Sequence, residues 1–347
     1  MKSIRVLIID DSPIVQSSLS RILSGEPDIE VMGVASDPFE AKDLIAEDKP
    51  DVITLDIEMP RMDGITFLKR LMSYSPIPVV MFSSYTRKNS IRTIEALEAG
   101  AVDFVTKPSY GTEIGFTSLR DEMITKIRVA SKAQVKPFIL HRKALIKTGK
   151  MPDTIANKLI AIGASIGGPK AVQKLLCGIS FQPRGIVIAQ HMAAGYTHAL
   201  AQRFNNLLPF NVREARDMDR VDQGSVLIAP GGKHMRVVQD GADYMIRLDK
   251  ILPTGHSSTN ICCSINVLFH SVAKSVGPKA VGIILTGMGN DGADGLAAMK
   301  EAGAYTIAQD KASCVVFGMP RVAIERGIVD VVASPDDIPD ILLTKVR

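Results

Sequence analysis

Short apolar, β-branched runs recur along this chain at intervals that leave room for one helix between neighbours. That alternation restricts the fold more than any other feature, because consecutive strands joined by crossover helices pair in parallel. The runs fall into two blocks. The first holds IRVLIID (4–10), IEVMGVAS (29–36), DVITLDI (51–57), PVVMFSS (78–84) and AVDFVTKP (101–108). Asp37 followed by Pro38 marks a helix start, a capping side chain and then a proline at the first helical position. The second block holds LIAIGAS, GIVIAQH, SVLIAP, AVGIILTG and AYTIAQ. A hairpin with an Asp-Gly turn, MRVVQDGADYMIRLD, interrupts it. The first block predicts a flavodoxin-like, doubly wound α/β domain. The second predicts another α/β domain with a parallel, Rossmann-like sheet.

A chain of 347 residues is long enough for two such cores. Between the blocks the charge becomes uneven. Residues 121–158 carry nine Lys or Arg against three acids, a surplus of six, so the rest of the chain stands at −2 within a total of +4. This basic stretch reads as an interdomain linker that begins as the tail of a helix, either a solvated connector or a docking surface for an acidic partner. The predicted layout is residues 1–125, a linker over 126–155, and a second domain over 156–347. The net charge is too small to imply nucleic acid. No apolar run reaches the roughly 18 residues of a membrane span, and MKSIRVLIIDDS lacks the form of a signal peptide. The four cysteines show no CxxC spacing. Reduced thiols and a cytoplasmic location, without membrane insertion, are therefore expected.

In doubly wound sheets, sites form where strands end and strand order reverses. Asp10 and Asp11 close the first run, Asp56 lies near the end of the third, Ser83 closes the fourth and Lys107 the fifth. With the first and third strands adjacent, three carboxylates share one pocket, and their repulsion calls for a hard divalent cation such as Mg²⁺. Mg²⁺ with a lysine and a hydroxyl makes a phosphoryl-binding site. A single acid at a strand end is more often a helix cap; acids at two adjacent ends, with Ser and Lys at the next two, are harder to read so. In VLIIDDS, DVITLDIEMPRMDG, VVMFSS and DFVTKP, residues 1 to about 125 resemble a response-regulator receiver domain. The resemblance implies Asp56 as phosphoacceptor. It implies Mg²⁺ on Asp10, Asp11, Asp56 and the backbone carbonyl of Glu58. Ser83 and Lys107 would then contact the phosphoryl group, with Phe104 as a switch aromatic.

The second block is too strand-rich for a helical DNA reader. Its first strand runs into LIAIGASIGGPKA (159–171). A dinucleotide fingerprint needs a glycine where Ser165 stands. The letters Gly163-Ala164-Ser165-Ile166-Gly167 fit instead a serine on a tight strand-to-helix turn, although a capping serine in a glycine-rich corner fits them too. A nucleophilic serine needs a base and an orienting acid. His191 closes GIVIAQ at the same sheet edge. Asp291 and Asp294 follow AVGIILTG in a glycine-rich turn. Ser165, His191 and Asp291 are thus a candidate triad; the alternative is a set of caps and corner hydrogen bonds. The remaining histidines (His141, His198, His234, His256 and His270) lie in linker, loop or helical contexts.

AIGASIGGP, IVIAQHM, LIAPGG, VGIILTGMGNDGADGL, AYTIAQD and CVVFGMPRVAIERGIVD make residues 159–345 similar to the catalytic domain of the CheB methylesterase family. The resemblance implies hydrolysis of γ-glutamyl methyl esters on the cytoplasmic helices of methyl-accepting chemoreceptors, with glutamine deamidation by the same machinery. The catalytic domain then needs no cofactor. The resemblance implies Ser165 as the nucleophile, His191 as the base and Asp291 as its orienting acid, with backbone donors expected at Ile166 and Met288. It further implies a receiver that would pack over the active-site face and be phosphorylated by the chemotaxis histidine kinase. Two departures stand out. Ile166 replaces the usual Thr. In HSSTNICCSINVLFHS, Cys262 and Cys263 occupy the expected Arg and Pro, and Asn266 an expected acid. These leave open a non-catalytic or retargeted phosphorylation-switched protein with the same fold. The cysteine pair itself reads as two small core residues.

Overall fold

The computed structural model describes residues 3–84, 86–107, 113–135, 157–250 and 263–346. The chain divides into two units, Met1–Leu140 and His141–Arg347. The predicted linker falls largely outside the described residues. Its first part belongs to a helix that runs to Ala130.

In the first unit the strands are β1 (Ile4–Ile9), β2 (Ile29–Ala35), β3 (Val52–Leu55), β4 (Val79–Ser84) and β5 (Asp103–Lys107). The helices are α1 (Pro13–Ser24), α2 (Pro38–Glu47), α3 (Gly64–Tyr74), α4 (Arg87–Ala99) and α5 (Glu113–Ala130). The strands pair in parallel in the order β2-β1-β3-β4-β5. All four residues of β3 are buried, as expected of a strand covered on both faces. The predicted start of α2 is present: the Asp37 carboxylate accepts from the N–H groups of Phe39 and Glu40 at 2.8 and 3.2 Å. Ile9 pairs with Leu55, so the residues that follow, Asp10 and Asp56, leave the sheet side by side.

The second unit contains β6 (Leu159–Ala164), α6 (Gly168–Gly178), β7 (Gly185–Gln190), α7 (Tyr196–Leu207), β8 (Asn211–Glu214), β9 (Ser225–Ile228), β10 (Lys233–Asp240) and β11 (Asp243–Lys250). After these come α8 (Ile265–Ser275), β12 (Ala280–Ile284), α9 (Ala293–Glu301), β13 (Tyr305–Gln309), α10 (Met319–Glu325), β14 (Val331–Ala333) and α11 (Ile338–Thr344). Seven strands form one parallel sheet, ordered β14-β13-β12-β6-β7-β9-β8. Strands β10 and β11 form the expected hairpin, with Gly241 at φ +60° in its turn. The sequence pattern missed the edge strands β8 and β14, which have four and three residues and too little apolar repetition to register. Every residue of β6, β7 and β12 is buried. Strand order reverses around β6, which lies between β12 and β7, so the switch point brings together the ends that carry Ser165, His191 and Asp291.

Candidate active site

Ser165 follows β6 directly and His191 follows β7 directly. The last pair in their register is Ala164 with Gln190, which sets the two side chains next to each other. The Ser165 N–H donates to the Thr286 carbonyl at 3.0 Å, and the Thr286 hydroxyl donates to the Ile166 carbonyl at 3.0 Å. The turn that carries Ser165 is thereby tied to the exit of β12. Two glycines permit the fit. Gly167 adopts φ +75° in the turn. At Gly287 an added Cβ would sit 2.5 Å from the Ser165 Cβ.

The Ser165 Oγ lies 3.2 Å from His191 Nδ1, and His191 Nε2 lies 2.8 Å from Asp291 Oδ2. An ionised carboxylate only accepts, so Nε2 carries the ring proton and the Nδ1 lone pair faces the serine hydroxyl. The ring is therefore turned the opposite way from the familiar serine-protease arrangement, in which Nε2 faces the serine. A 3.2 Å contact is loose, and such contacts tighten when substrate binds. Ser165 is 9% exposed, sheltered yet reachable.

Asp291 is held at both oxygens. Oδ1 accepts from the Asn266 N–H at 3.0 Å and the Ser264 hydroxyl at 3.1 Å; Oδ2 accepts from the Ile265 N–H at 2.8 Å as well as from His191. These donors are the first turn of α8 and its cap, a helix N-terminus that favours an anion. Burial alone would raise the Asp291 pKa. The hydrogen bonds from His191, Asn266 and Ile265 outweigh it and hold the pKa at about 2. Helix α8 reaches this position because it sits flush on β6: a Cβ at Gly163 would fall 2.3 Å from the Ile265 side chain. The sequence reading missed Ser264 and these backbone donors, although a serine immediately before the apolar run INVLFHSVA is a helix-cap signal. Asn266 turns its side-chain oxygen to the Gly295 N–H at 2.8 Å.

The N–H groups of Ile166 and Met288 have no hydrogen-bond partner among the described residues. Both leave loops that border Ser165, as an oxyanion site requires. Asp294 instead pairs with Arg326 at 2.7 Å at the start of α9. His234 accepts from the Ser264 N–H at 3.1 Å, with burial and then Arg236 keeping its pKa low. His198 and His270 are exposed; His141 and His256 lie outside the described residues. Cys263 is buried at 1% exposure in the hydrophobic core, as expected of a small core residue, whereas Cys262 lies outside the described residues.

In the first unit, Asp10, Asp11 and Asp56 each offer a carboxylate oxygen within 4.8 Å of the others. Asp10 and Asp56 are buried and Asp11 is exposed. Lys107, at the end of β5, reaches Asp10 Oδ2 at 2.7 Å and Asp56 Oδ2 at 2.8 Å. Burial pushes the Asp56 pKa up to about 6, against the pull of Lys107 and with help from the charge of Asp10. Asp10 is raised by burial too. Three hard oxygen donors that crowd one another beyond what one ammonium offsets fit a divalent cation of the Mg²⁺ type. Glu58 lies two residues beyond Asp56, with its side chain turned outward to Arg92 at 3.7 Å. Ser83 is fully buried and its hydroxyl donates to the Ser84 carbonyl at 3.4 Å, so it is not hydrogen-bonded to Asp56. Phe104 is buried, with the Lys126 ammonium 5.1 Å from its ring centroid.

An acidic, lysine-clamped pocket on one doubly wound sheet, carried ahead of a serine–imidazole–carboxylate relay on another, defines a class: response regulators whose output unit is a hydrolase built on a parallel α/β sheet. The comparisons narrow that class. The family model CheB methylesterase matches residues 160–342, and Response regulator receiver domain matches residues 6–115. The chain belongs to the CheB methylesterase family. It is 48% identical over 345 residues to a protein-glutamate methylesterase/protein-glutamine glutaminase of Syntrophotalea carbinolica, covering 97% of this chain and 96% of the relative. A protein of the same description from Bordetella pertussis is 46% identical over 347 residues, covering 100% and 98%. The crystal structure of the Thermotoga maritima CheB methylesterase catalytic domain aligns with a TM-score of 0.50 at 35% identity, covering 54% of this chain and 97% of that one.

Proposed function

We propose that this protein is a phosphorylation-regulated protein-glutamate methylesterase and glutamine deamidase acting on the cytoplasmic helices of methyl-accepting chemoreceptors. The observation that carries the reading is the continuous contact from Ser165 Oγ through His191 to Asp291. In the proposed mechanism Ser165 attacks the γ-glutamyl ester carbonyl. His191 Nδ1 takes the serine proton and returns it to the departing methanol, while Asp291 stabilises the imidazolium. The N–H groups of Ile166 and Met288 face the tetrahedral oxyanion, each such donor being worth about 3 kcal/mol. Water, deprotonated by His191, then releases glutamate. A glutamine side chain follows the same path with ammonia leaving.

The proposed layout is a receiver over residues 1–125, a basic linker over 126–155 and the methylesterase domain over 156–347. Asp56 is the proposed phosphoacceptor, with the chemotaxis histidine kinase as donor in the cytoplasm. Asp10, Asp11, Asp56 and the Glu58 carbonyl would hold Mg²⁺, which supplies charge neutralisation for the incoming phosphoryl group. Lys107 steadies that group. Ser83 joins it by turning its hydroxyl away from the Ser84 carbonyl, and Phe104 responds as the switch aromatic. Each tenfold of activation needs about 1.4 kcal/mol of preference between the two receiver states. The intact Ser165–His191–Asp291 contacts speak against a scaffold that has lost its chemistry.

The test is methanol release from membranes carrying methylated receptors, with the full chain, Mg²⁺ and a small acyl phosphate. Release that rises with the phosphodonor and is absent in Ser165→Ala supports the reading. Equal release by the parent and Ser165→Ala, or none by the parent, overturns it.

A further inference from the structure

Gln190 is the last residue of β7 and immediately precedes His191. It is 1% exposed. Its side-chain Nε2 donates to the Ser165 carbonyl at 2.9 Å and to the His191 carbonyl at 3.2 Å. Its own main-chain carbonyl accepts from the Cys263 thiol at 3.4 Å. The next residue, Ser264, is the one whose hydroxyl meets Asp291. One residue therefore touches the three segments that carry the nucleophile, the base and the seat of the acid.

The partners fix the orientation of the amide: with nitrogen and oxygen exchanged, Oε1 would face two carbonyl oxygens. In this orientation Oε1 is buried without a hydrogen-bond partner among the described residues. An unpaired buried acceptor lowers stability, and an apolar side chain of the same length would avoid it. Its neighbour accommodates it as well. A Cβ at Gly168 would fall 2.2 Å from Gln190 Oε1, so α6 opens on a residue that leaves room for the amide. A group that weakens the core yet cross-ties two reacting segments is more simply explained by the reaction than by the fold.

We propose that Gln190 is a positioning residue, an inference that rests on the triad reading above. Its amide holds the main chains of Ser165 and His191 at one separation, so that the 3.2 Å contact between Oγ and Nδ1 closes along a single path. Displacements of about 1 Å at such a contact cost on the order of 100-fold in rate.

The experiment compares the full chain with Gln190→Met and Gln190→Asn under Mg²⁺ and acyl phosphate. The first variant keeps length but no donor; the second keeps the amide but withdraws it by one methylene. Methanol-release kinetics, thermal unfolding and the proton resonance of His191 Nε2–H are measured for each. We expect kcat to fall about 100-fold with KM within about twofold. The thermal midpoint of Gln190→Met should stay close to the parent's, because the unpaired oxygen is lost together with the donor. The imidazole proton should exchange faster or shift. A kcat within about threefold of the parent in a folded variant, or an unchanged imidazole resonance, overturns the inference. If Gln190→Met does not fold, Gln190→Asn is judged by the same criteria. If the parent itself releases no methanol, the methylesterase reading fails, and the resonance alone decides whether Gln190 holds the His191 ring.

Discussion

Replacing Asp291 with asparagine probes the chemistry and the architecture of the site together. Four donors converge on the carboxylate: His191 Nε2, the Ile265 and Asn266 N–H groups and the Ser264 hydroxyl, at 2.8 to 3.1 Å. Asparagine has one acceptor oxygen, so its NH₂ must face one pair of donors in either rotamer. Turned toward Ser264 and Asn266, it keeps the His191 tautomer but removes the anion. The fall of the pKa from an ordinary 3.8 to about 2 corresponds to about 2 kcal/mol of preference for that anion, near 100-fold if it were all expressed in rate. Turned toward His191 and Ile265, it donates to Nε2 and drives the ring proton to Nδ1, where it faces Ser165 and leaves no base. In a serine protease the equivalent change costs about 10⁴-fold. The expected loss of kcat in methanol release thus lies between about 10² and 10⁴. Stability follows the same carboxylate. A depressed pKa contributes stability above the unfolded value and loses it as pH falls through the folded value. The parent should therefore exceed Asp291→Asn by about 2 kcal/mol at pH 7 in urea unfolding of the second unit, and the gap should close between about pH 4 and pH 2. A variant that retains kcat within tenfold of the parent would refute both routes.

Other expectations can be checked with the same preparations. Gly287→Ala places a methyl carbon 2.5 Å from the Ser165 Cβ and from the Met319 sulfur; thermal unfolding should show a loss of about 1–3 kcal/mol, and kcat should drop on the order of 100-fold. Asp56 has its pKa raised by burial to about 6, so in chelator the first unit should lose about 3 kcal/mol as pH rises from about 4 to about 6, a loss absent in Asp56→Asn. The same variant should take no label from an acyl phosphate, and neither should the parent stripped of Mg²⁺. Ile166→Thr should change kcat by less than about fivefold, because the backbone N–H and the carbonyl bonded to Thr286 both survive the exchange; a larger change would assign the side chain a part in the reaction.

The sequence made Ser165 and His191 legible because each follows its strand without an intervening residue and parallel strands end on one edge. Asp291 was harder, since it lies seven residues beyond β12. The turn that returns it to the site shows only as GNDG, with Gly289 and Gly292 at φ +83° and +94°. What the sequence hid was long-range. The donors on Asp291 other than His191 come from a segment 25 to 27 positions earlier in the chain, and no local pattern announces that α8 will abut β6. Ring orientation is hidden as well, because it depends on which side of the imidazole meets the carboxylate. In the first unit Asp10, Asp56 and Lys107 were readable as strand-end residues, whereas the inward hydroxyl of Ser83 is a rotamer choice that spacing cannot encode.

The double attachment of Asp291 also bears on how this activity would disappear over evolutionary time. Ser165 and His191 can be exchanged for inert residues at small expense to the scaffold. Asp291 is costlier to exchange, because its carboxylate also accepts from two first-turn N–H groups of α8. A descendant drifting toward a purely regulatory life would therefore shed the serine or the histidine first and keep the aspartate as a relic of architecture. Under the proposed mechanism, an aspartate alone at this position would testify only to a shared scaffold, whereas activity would require the Ser165–His191 pair as well.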